Sequence, residues 1–193
     1  MSTIDEFASF ASSLADLARP IAVQYFGKPV PTDMKADNSP VTLADREIEA
    51  ALREAILRQY PAHGFLGEET GSFQTDADYM WVIDPIDGTR AFIGQKYTFT
   101  TLIALCHRGK PIVGVIDQAI RKERWVGNTQ TFFNGEHTHP ELKQTLADAT
   151  IATTSMTYFS AAETIGFTAL EHASRNTILN HDGYAFGLLA NGD

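Results

Sequence analysis

The sequence contains a single cysteine, Cys106, and comparatively few basic residues. One cysteine excludes an intramolecular disulfide framework. The chain has 15 Lys and Arg against 24 Asp and Glu, which gives a formal net charge of −9. Nucleic acids are held by clustered basic side chains, so this balance argues against a nucleic-acid partner. A small phosphorylated metabolite remains compatible with it, because a bound metal ion can supply local positive charge.

Long apolar runs are also absent from the sequence. No stretch approaches the roughly 18 apolar residues of a membrane-spanning helix, so no membrane partner is expected. The N-terminal segment MSTIDEFASFASS carries acids and no basic region, which is unlike a signal peptide. We therefore expect a cytoplasmic protein. The composition that is present, 44% hydrophobic and 20% charged over 193 residues, is ordinary for a globular chain.

Apolar residues recur at spacings of three and four over the N-terminal part of the chain. This pattern predicts an amphipathic helix that begins at Ser2 or Thr3 and ends near Gly27. The proline-containing segment 28–40, KPVPTDMKADNSP, has no periodicity and is interpreted as a loop able to lie over a site. Lys35 in this loop could lean over the site, but it is interpreted as an exposed side chain.

A second helix is predicted to begin after Thr42, which is a good N-cap residue. Asp45 then stands at the third helical position, and Tyr60-Pro61 ends the apolar pattern. Asp45 has two interpretations at this point. It stabilises the helix N-terminus against the helix dipole, or its carboxylate belongs to a site.

From Tyr79 onwards, β-branched and aromatic runs alternate with Gly and Pro turns. The runs YMWVID, YTFTTLIALC, PIVGVIDQ and ERWVG are predicted strands, and Asn134-Gly135 predicts a hairpin. Further on, TIATTS and TILN are predicted strands, and DGYAFGLLANG is a predicted short helix. Ser160 begins another helix, with Glu163 three residues later in a capping box. Helices and strands therefore alternate, which indicates an α/β or layered α+β class.

The polar stretch 136–149 lacks any regular pattern and is interpreted as a boundary between two halves. We expect an N-terminal α+β half at 1–135 and the start of a C-terminal α/β half at 136–193. No strand follows the last predicted helix, so the second half is expected to be truncated at its C-terminus.

In the segment WVIDPIDGT, Asp84 ends an apolar strand and Asp87 lies just past it on the turn, and Glu68 of GEE precedes both. Carboxylates brought to one point repel each other unless a cation neutralises them. The donors available are oxygens, which suits Mg²⁺ or Mn²⁺ better than Zn²⁺. Pro85 fixes a backbone angle between the two aspartates and helps to aim both at one place.

The Gly88-Thr89 pair follows these acids directly. If the next four residues form a helical turn, the Gly88 and Thr89 amides provide an anion site. A metal cluster beside a phosphate cradle suggests hydrolysis of a phosphate monoester. The alternative is that DPIDGT is a turn in which Asp and Gly have their usual roles.

These motifs resemble the inositol monophosphatase superfamily of Mg²⁺-dependent phosphatases. The resemblance rests on GEE, on WVIDPIDGTRAF, and on PVTLAD, which is similar to the (V/L)T-x-x-D element of that superfamily. Within it, DGTRAFI, TLIAL, GVIDQ, ERWVG and DGYAFGLLA are similar to the histidinol-phosphate phosphatase branch. The inositol branch more often has a Thr-Asn pair where this chain has Arg90-Ala91. The resemblance runs from the first helix to the last residue and implies a layered αβαβα fold.

The resemblance also implies metal ligands. Glu68, Asp84 and the Ile86 carbonyl would hold a first Mg²⁺, and Asp84 and Asp87 would share a second. Glu68 would in addition touch a loosely held third ion and act on the attacking water. Mn²⁺ is a possible substitute for Mg²⁺.

The remaining roles implied by the resemblance concern phosphate, water and substrate. Gly88 and Thr89 would bind the phosphate group, and Thr89 with Asp45 would orient the attacking water. Asp182 and Arg90 would lie near the organic part of the substrate. Family members carry a further Trp-Asp element that supplies a ligand of the second ion. It is missing from this sequence, and Asp193 is in the wrong context to replace it.

The predicted reaction is hydrolysis of histidinol phosphate to histidinol and phosphate, a step of histidine biosynthesis. Inositol monophosphate and nucleotide 3′(2′),5′-bisphosphates are alternative substrates of the same class. A hypothesis from another class is a catalytically incomplete fragment that binds metal or phosphate. The resemblance further implies a homodimer.

Overall fold

The computed structural model describes residues 3–36, 39–138, 140 and 145–192. Ser2, one of the two predicted first residues of the N-terminal helix, lies outside these residues, as does Asp193. The α-helices are α1 (Thr3–Tyr25), α2 (Leu43–Gln59), α3 (Thr89–Ile93), α4 (Ala161–Ala173) and α5 (Tyr184–Asn191). The strands are β1 (Thr32–Met34), β2 (Pro40–Thr42), β3 (Gly64–Gly67), β4 (Gly71–Phe73), β5 (Tyr79–Asp87), β6 (Thr100–His107), β7 (Lys110–Gln118), β8 (Glu123–Gly127), β9 (Thr131–Phe133), β10 (Glu136–His137), β11 (Thr150–Thr153) and β12 (Asn176–Leu179).

The main sheet has the strand order β10-β9-β8-β7-β6-β5-β3-β4. β3 runs parallel to β5, whereas the other neighbouring strands pair antiparallel. β11 and β12 form a separate parallel pair. The main sheet therefore includes β10, which lies just past the predicted boundary at residue 135. The division into two halves stays a prediction.

The helices α1 and α2 pack against each other and onto β5, β6 and β7. The buried side of α1 consists of Phe7, Ala8, Ala11, Leu14, Ala15, Ala18 and Ala22. Burial of such an apolar stripe against a sheet is the main source of stability for an amphipathic helix. The helix begins at Thr3 and ends at Tyr25, which confirms the prediction from its periodicity.

The second helix is also confirmed. Thr42 caps it, and the Thr42 and Asp45 side chains and backbones form a reciprocal capping box. Its buried face includes Ile48, Leu52 and Ile56 but also two acids, Asp45 and Glu49. Buried acids on an apolar face need polar partners, so this face of α2 points to a site.

The structure corrects two sequence predictions and adds two strands. The segment 28–40 is only partly a loop. It contains β1 and the first residue of β2, and these two strands pair antiparallel. The strands β3 and β4 were not predicted, since GFLG and GSF are short and rich in glycine. Asp87 does not lie on a turn past the strand but is the last residue of β5.

Among the described residues, no helix has both the length and the apolar character needed to cross a membrane.

Candidate active site

A bulge in β5 brings its two aspartates to the same side of the sheet. Asp84 pairs with Leu102 of β6, and the next pair is Asp87 with Thr100, so β5 contains one extra residue. In a regular strand, residues three apart point to opposite faces. The extra residue turns the Asp87 side chain to the face that carries Asp84. The two carboxylates therefore interact electrostatically. The Thr101 hydroxyl donates to the Pro85 carbonyl at 2.8 Å and holds the bulge.

Glu68 reaches Asp84 because its strand runs parallel to β5. Gly67 pairs with Ile83, and the Glu68 N–H donates to the Ile83 carbonyl at 3.3 Å. The ends of β3 and β5 therefore lie side by side, and Asp84 and Glu68 interact through their carboxyl groups. The predicted grouping of Glu68, Asp84 and Asp87 is present in the structure.

Asp84 is the most perturbed acid of this group. Burial, followed by the charges of Glu68 and Asp87, raises the pKa of Asp84 to about 9. Within the part of the chain that the structure describes, Asp84 Oδ1 is buried and has no hydrogen-bond partner. A buried acceptor without a partner is costly, so this oxygen is poised to receive one.

Asp87 and Asp182 extend the acidic group towards α5. Asp87 Oδ2 accepts a hydrogen bond from the Gly183 N–H, which ties the end of β5 to the start of α5. Burial raises the pKa of Asp87, and the charges of Asp182 and Glu68 raise it further. Burial also raises the pKa of Asp182. Residues that are distant in sequence thus share one acidic centre.

Asp45 combines the two roles that its sequence position left open. Its Oδ2 accepts from the Thr42 N–H at 2.8 Å and from the Thr42 hydroxyl at 2.5 Å. Its Oδ1 lies 3.4 Å from the Thr89 Oγ1, which donates to it. Burial raises the pKa of Asp45, while the bonds from Thr42 lower it. The carboxylate therefore caps α2 and also contacts Thr89.

Thr89 begins the short helix α3, so the helical turn on which the anion site depends is present. Its hydroxyl also lies 3.2 Å from the Ile86 carbonyl. Gly88 precedes the helix with a φ of 83°, a conformation that favours glycine. A Cβ atom at Gly88 would lie only 2.6 Å from Asp182 Oδ2. Gly88 therefore permits both the turn and the approach of Asp182.

The contact between Gly88 and Asp182 yields the first testable prediction. Gly88→Ala should lower the free energy of unfolding by about 2–4 kcal/mol, because it adds backbone strain and a clash. Gly135→Ala is the matched control. Its φ is 87°, but a Cβ there meets no atom within 4 Å, so only the strain of roughly 1–2 kcal/mol remains. Urea unfolding measures both variants, and equal losses would contradict a packing role for Asp182 at Gly88.

Arg90 and Asp182, the predicted substrate residues, line one cavity of about 360 Å³. Lys96 and several hydroxyl and amide side chains complete its wall: Thr154, Ser155, Thr157, Tyr158 and Asn180. A second cavity of about 460 Å³ shares Asp182 and Thr154 with the first and is lined mainly by apolar residues. The space beside Gly88-Thr89 is therefore polar and contains both charge signs.

The fit of a metal ion can be tested on the side chains themselves. In the described ranges, no three His, Cys, Asp or Glu side chains are arranged to hold an ion as they lie. Glu68 and Glu69 are instead paired with Lys35, whose Nζ lies 2.7 Å from Glu68 Oε1 and 2.9 Å from Glu69 Oε1. Lys35 is therefore half-buried and paired, and the prediction of an exposed lysine is wrong. The loop does lie over the site.

The donor chemistry nevertheless fits a hard divalent cation. The donors are carboxylates and a backbone carbonyl, and the Asp84 oxygen without a partner lies among them. The ammonium group at Glu68 shows that these carboxylates already attract a cation. Binding of a metal ion at Glu68 would require its carboxylate to release Lys35.

Several residues of the site were missed by sequence reasoning. Glu49 accepts hydrogen bonds from the turn that carries Glu68, and its position four residues after Asp45 was an available signal. Thr101 of β6 donates a hydrogen bond to the bulge in β5, and Gly183, just before α5, donates one to Asp87. Nothing in the local sequence around Thr101 or Gly183 indicates these contacts.

Comparison with known proteins identifies the family. The model of the inositol monophosphatase family matches residues 3–185. The chain belongs to this family, and the resemblance found in the sequence is confirmed. A solved structure of an inositol monophosphatase from Zymomonas mobilis is 42% identical, with a TM-score of 0.88 over 100% of this chain and 75% of that one. The predicted layered α/β fold is thereby confirmed.

Two curated relatives are named as phosphatases. The bifunctional phosphatase IMPL2, chloroplastic, of Arabidopsis thaliana is 40% identical over 98% of this chain and 56% of its own length. The histidinol-phosphatase of Mycobacterium tuberculosis (strain ATCC 25618 / H37Rv) is 40% identical over 60% of this chain and 45% of its own length. The chain thus spans about half the length of these curated relatives.

Proposed function

We propose that the protein is a Mg²⁺-dependent phosphate monoester hydrolase and that its substrate is histidinol phosphate. The observation that carries the proposal is the buried Asp84 carboxyl, with an oxygen lacking a partner among the described residues, beside Glu68 and Asp87. The name of the mycobacterial relative, histidinol-phosphatase, supports the choice of substrate. Inositol monophosphate and nucleotide bisphosphates are the alternatives.

The proposed ligands are those of the acidic centre. Glu68, Asp84 and the Ile86 carbonyl would hold a first ion, and Asp84 and Asp87 would share a second. Two or three Mg²⁺ ions, or Mn²⁺ in their place, are compatible with oxygen donors. When bound, the ions would supply the positive charge that makes water acidic and stabilises a leaving oxygen.

The protein's own groups would place the water and the phosphate. The Thr89 hydroxyl can donate a hydrogen bond to Asp45 Oδ1 at 3.4 Å or to the Ile86 carbonyl at 3.2 Å. When it donates to Asp45, its oxygen can accept a hydrogen bond from a water molecule. Asp45 would thereby fix the direction from which the water attacks, and Glu68 would assist. The Gly88 and Thr89 amides at the start of α3 would bind the phosphate oxygens.

Asp182 in the cavity beside this cradle supports an amino-containing substrate, although Arg90 and Lys96 line the same cavity. Histidinol phosphate carries an amino group that is a cation at neutral pH, and inositol phosphate has no cation. Asp182 lies between the cradle and the polar cavity, where it would pair with this amino group. Arg90, which is a cation, would instead donate hydrogen bonds to phosphate or hydroxyl oxygens of the substrate.

A second testable prediction concerns this choice of substrate. With Mg²⁺, the protein should release phosphate faster from histidinol phosphate than from inositol monophosphate or adenosine bisphosphate. Asp182→Asn should raise KM for histidinol phosphate about tenfold, because a hydrogen bond to a charged group is lost. KM for inositol monophosphate is the internal control and should change little. Faster turnover of inositol monophosphate by the unaltered protein would contradict the proposed substrate.

A metal- or phosphate-binding protein without catalysis is the second candidate. It is favoured by the absence, among the described His, Cys, Asp and Glu side chains, of a group arranged to hold an ion as it lies, because metal-dependent catalysis needs such a group. Its signature would be a Mg²⁺-dependent rise in Tm without phosphate release from any of the three substrates.

We further expect three properties of the protein. The partner is a small phosphorylated metabolite, the protein is a homodimer, and its location is the cytoplasm. Analytical ultracentrifugation of the purified protein tests the second of these.

A further inference from the structure

We infer that Glu49 is a positioning residue, which acts on metal binding by holding the turn that carries Glu68. This inference rests on the proposed metal-binding role of Glu68. Glu49 lies on α2, one helical turn after Asp45, and its side chain is fully buried. It would not touch the ion or the substrate itself.

The contacts of Glu49 are made with the backbone just after Glu68. Its Oε2 accepts from the Glu69 N–H at 2.7 Å, and its Oε1 accepts from the Thr70 N–H at 2.6 Å. Both carboxylate oxygens are thus used by consecutive amides of one turn. Such charge-assisted bonds are short and strong, and they define the direction of the peptide groups that they hold.

The residue before Glu68 shows how closely the turn is fitted to this carboxylate. A Cβ atom at Gly67 would lie 2.5 Å from Glu49 Oε1. Any larger residue would therefore push the carboxylate away from the turn. The close approach of Gly67 and the two amide bonds together place the Glu68 side chain at the end of β3, beside Asp84.

A glutamine at position 49 has nearly the same shape but only one acceptor oxygen. Its amide nitrogen would then face one of the two backbone N–H groups, and the turn would have to shift. A shift of this kind should weaken binding of an ion at Glu68 while leaving the core of α2 in place. Loss of supporting groups around metal ligands commonly reduces metal affinity 10–100-fold.

The experiment is a Mn²⁺ titration of the full chain, followed by calorimetric binding and by the rise in Tm. Glu49→Gln should weaken Mn²⁺ binding about 10–100-fold. In a Glu68→Gln background, the same change should have little additional effect, because the residue that it positions is already lost. Glu54→Gln is the matched control, since Glu54 lies on the same helix but is exposed and pairs with Arg58.

The outcomes separate the inference from the proposed function. A Glu49→Gln protein with a lower Tm but an unchanged Mn²⁺ affinity would show a structural role and overturn the inference. A weakening that is equal with and without Glu68 would overturn it as well. If the unaltered protein binds no Mn²⁺, the proposed function fails and the inference with it. If Glu49→Gln does not fold, Glu49→Asp is measured in its place. An unchanged Mn²⁺ affinity of Glu49→Asp would likewise overturn the inference.

Discussion

Asp84→Asn is expected to abolish Mg²⁺-dependent phosphate release and, at the same time, to stabilise the protein in a chelator. The loss of rate should be on the order of 10³-fold or more, because a shared ligand of two ions contributes several kcal/mol to the transition state. The gain in stability follows from the environment of Asp84. Burial and the charges of Glu68 and Asp87 raise its pKa to about 9, so ionising it costs free energy in the folded protein.

The sign of the pH dependence is determined by this raised pKa. In the unfolded chain Asp84 ionises near pH 4, whereas in the folded protein it keeps its proton until about pH 9. The unaltered protein should therefore lose stability as pH rises from about 4 to 9. Asparagine cannot ionise and removes this loss. At pH 7 the gain should be about 2–4 kcal/mol, or a rise in Tm of roughly 4–16 °C for a chain of this length.

Chemical unfolding in EDTA between pH 5 and pH 9 measures this effect. Asp78→Asn is the control, because Asp78 precedes the same strand but is exposed and pairs with Arg108. It should change neither the rate of phosphate release nor the slope of stability against pH. An Asp84→Asn protein that retains activity, or one that is less stable than the unaltered protein at pH 8, would contradict the role assigned to Asp84.

Asp117→Asn is expected to have the largest effect on stability away from the candidate site. Asp117 is fully buried on β7 and accepts from Arg19 Nη2 at 2.5 Å and Arg124 Nε at 2.6 Å. Arg19 comes from α1 and Arg124 from β8, so one carboxylate connects the helix to two strands. Arg124 is also held by Asp16 at 2.8 Å and by the Ser12 carbonyl at 3.1 Å.

Asparagine at position 117 keeps the shape of the side chain but removes its charge. Two guanidinium groups, both mostly shielded from solvent, would then lack their shared carboxylate. Removing one partner of a buried ion pair costs about 3–5 kcal/mol, since the remaining charge stays desolvated. For a chain of this length, that loss corresponds to a fall in Tm of roughly 6–20 °C.

Thermal and urea unfolding test this prediction. Asp33→Asn provides the matched control, because Asp33 pairs with Arg46 at 2.7 Å but both side chains are exposed. Exposed pairs contribute little to stability, so the control should unfold like the unaltered protein. A similar Tm for the two variants would mean that the arginines find other partners when Asp117 is neutralised.

Much of the fold could be predicted because its signals lie within a few residues of one another. Both capping boxes, Thr42 with Asp45 and Ser160 with Glu163, are confirmed in the structure. The helix α1 and the strands from β5 to β8 follow from periodicity of the apolar residues. The strands β3 and β4 gave no such signal, since short glycine-rich segments form strands only when a neighbouring strand pairs with them.

The candidate site, like the fold, could be predicted only in part. The types and order of the acids, with the Gly-Thr step after them, are visible in the sequence and indicate the chemistry. Their geometry is not visible there. Asp84 and Asp87 are three residues apart and would point to opposite faces of a regular strand, but the bulge opposite β6 places them on one side.

The family, the local helix caps and the candidate acids could therefore be recognised from the sequence, because each of these depends on residues close together in the chain. The groups that surround those acids could not, because they are brought there by the tertiary fold. Gly183 reaches Asp87 across 96 positions, Lys35 reaches Glu68 across 33, and Glu49 holds the Glu69 amide across 20. Contacts of this kind arise from strand pairing and helix packing, which bring distant segments together and leave no local periodicity in the sequence.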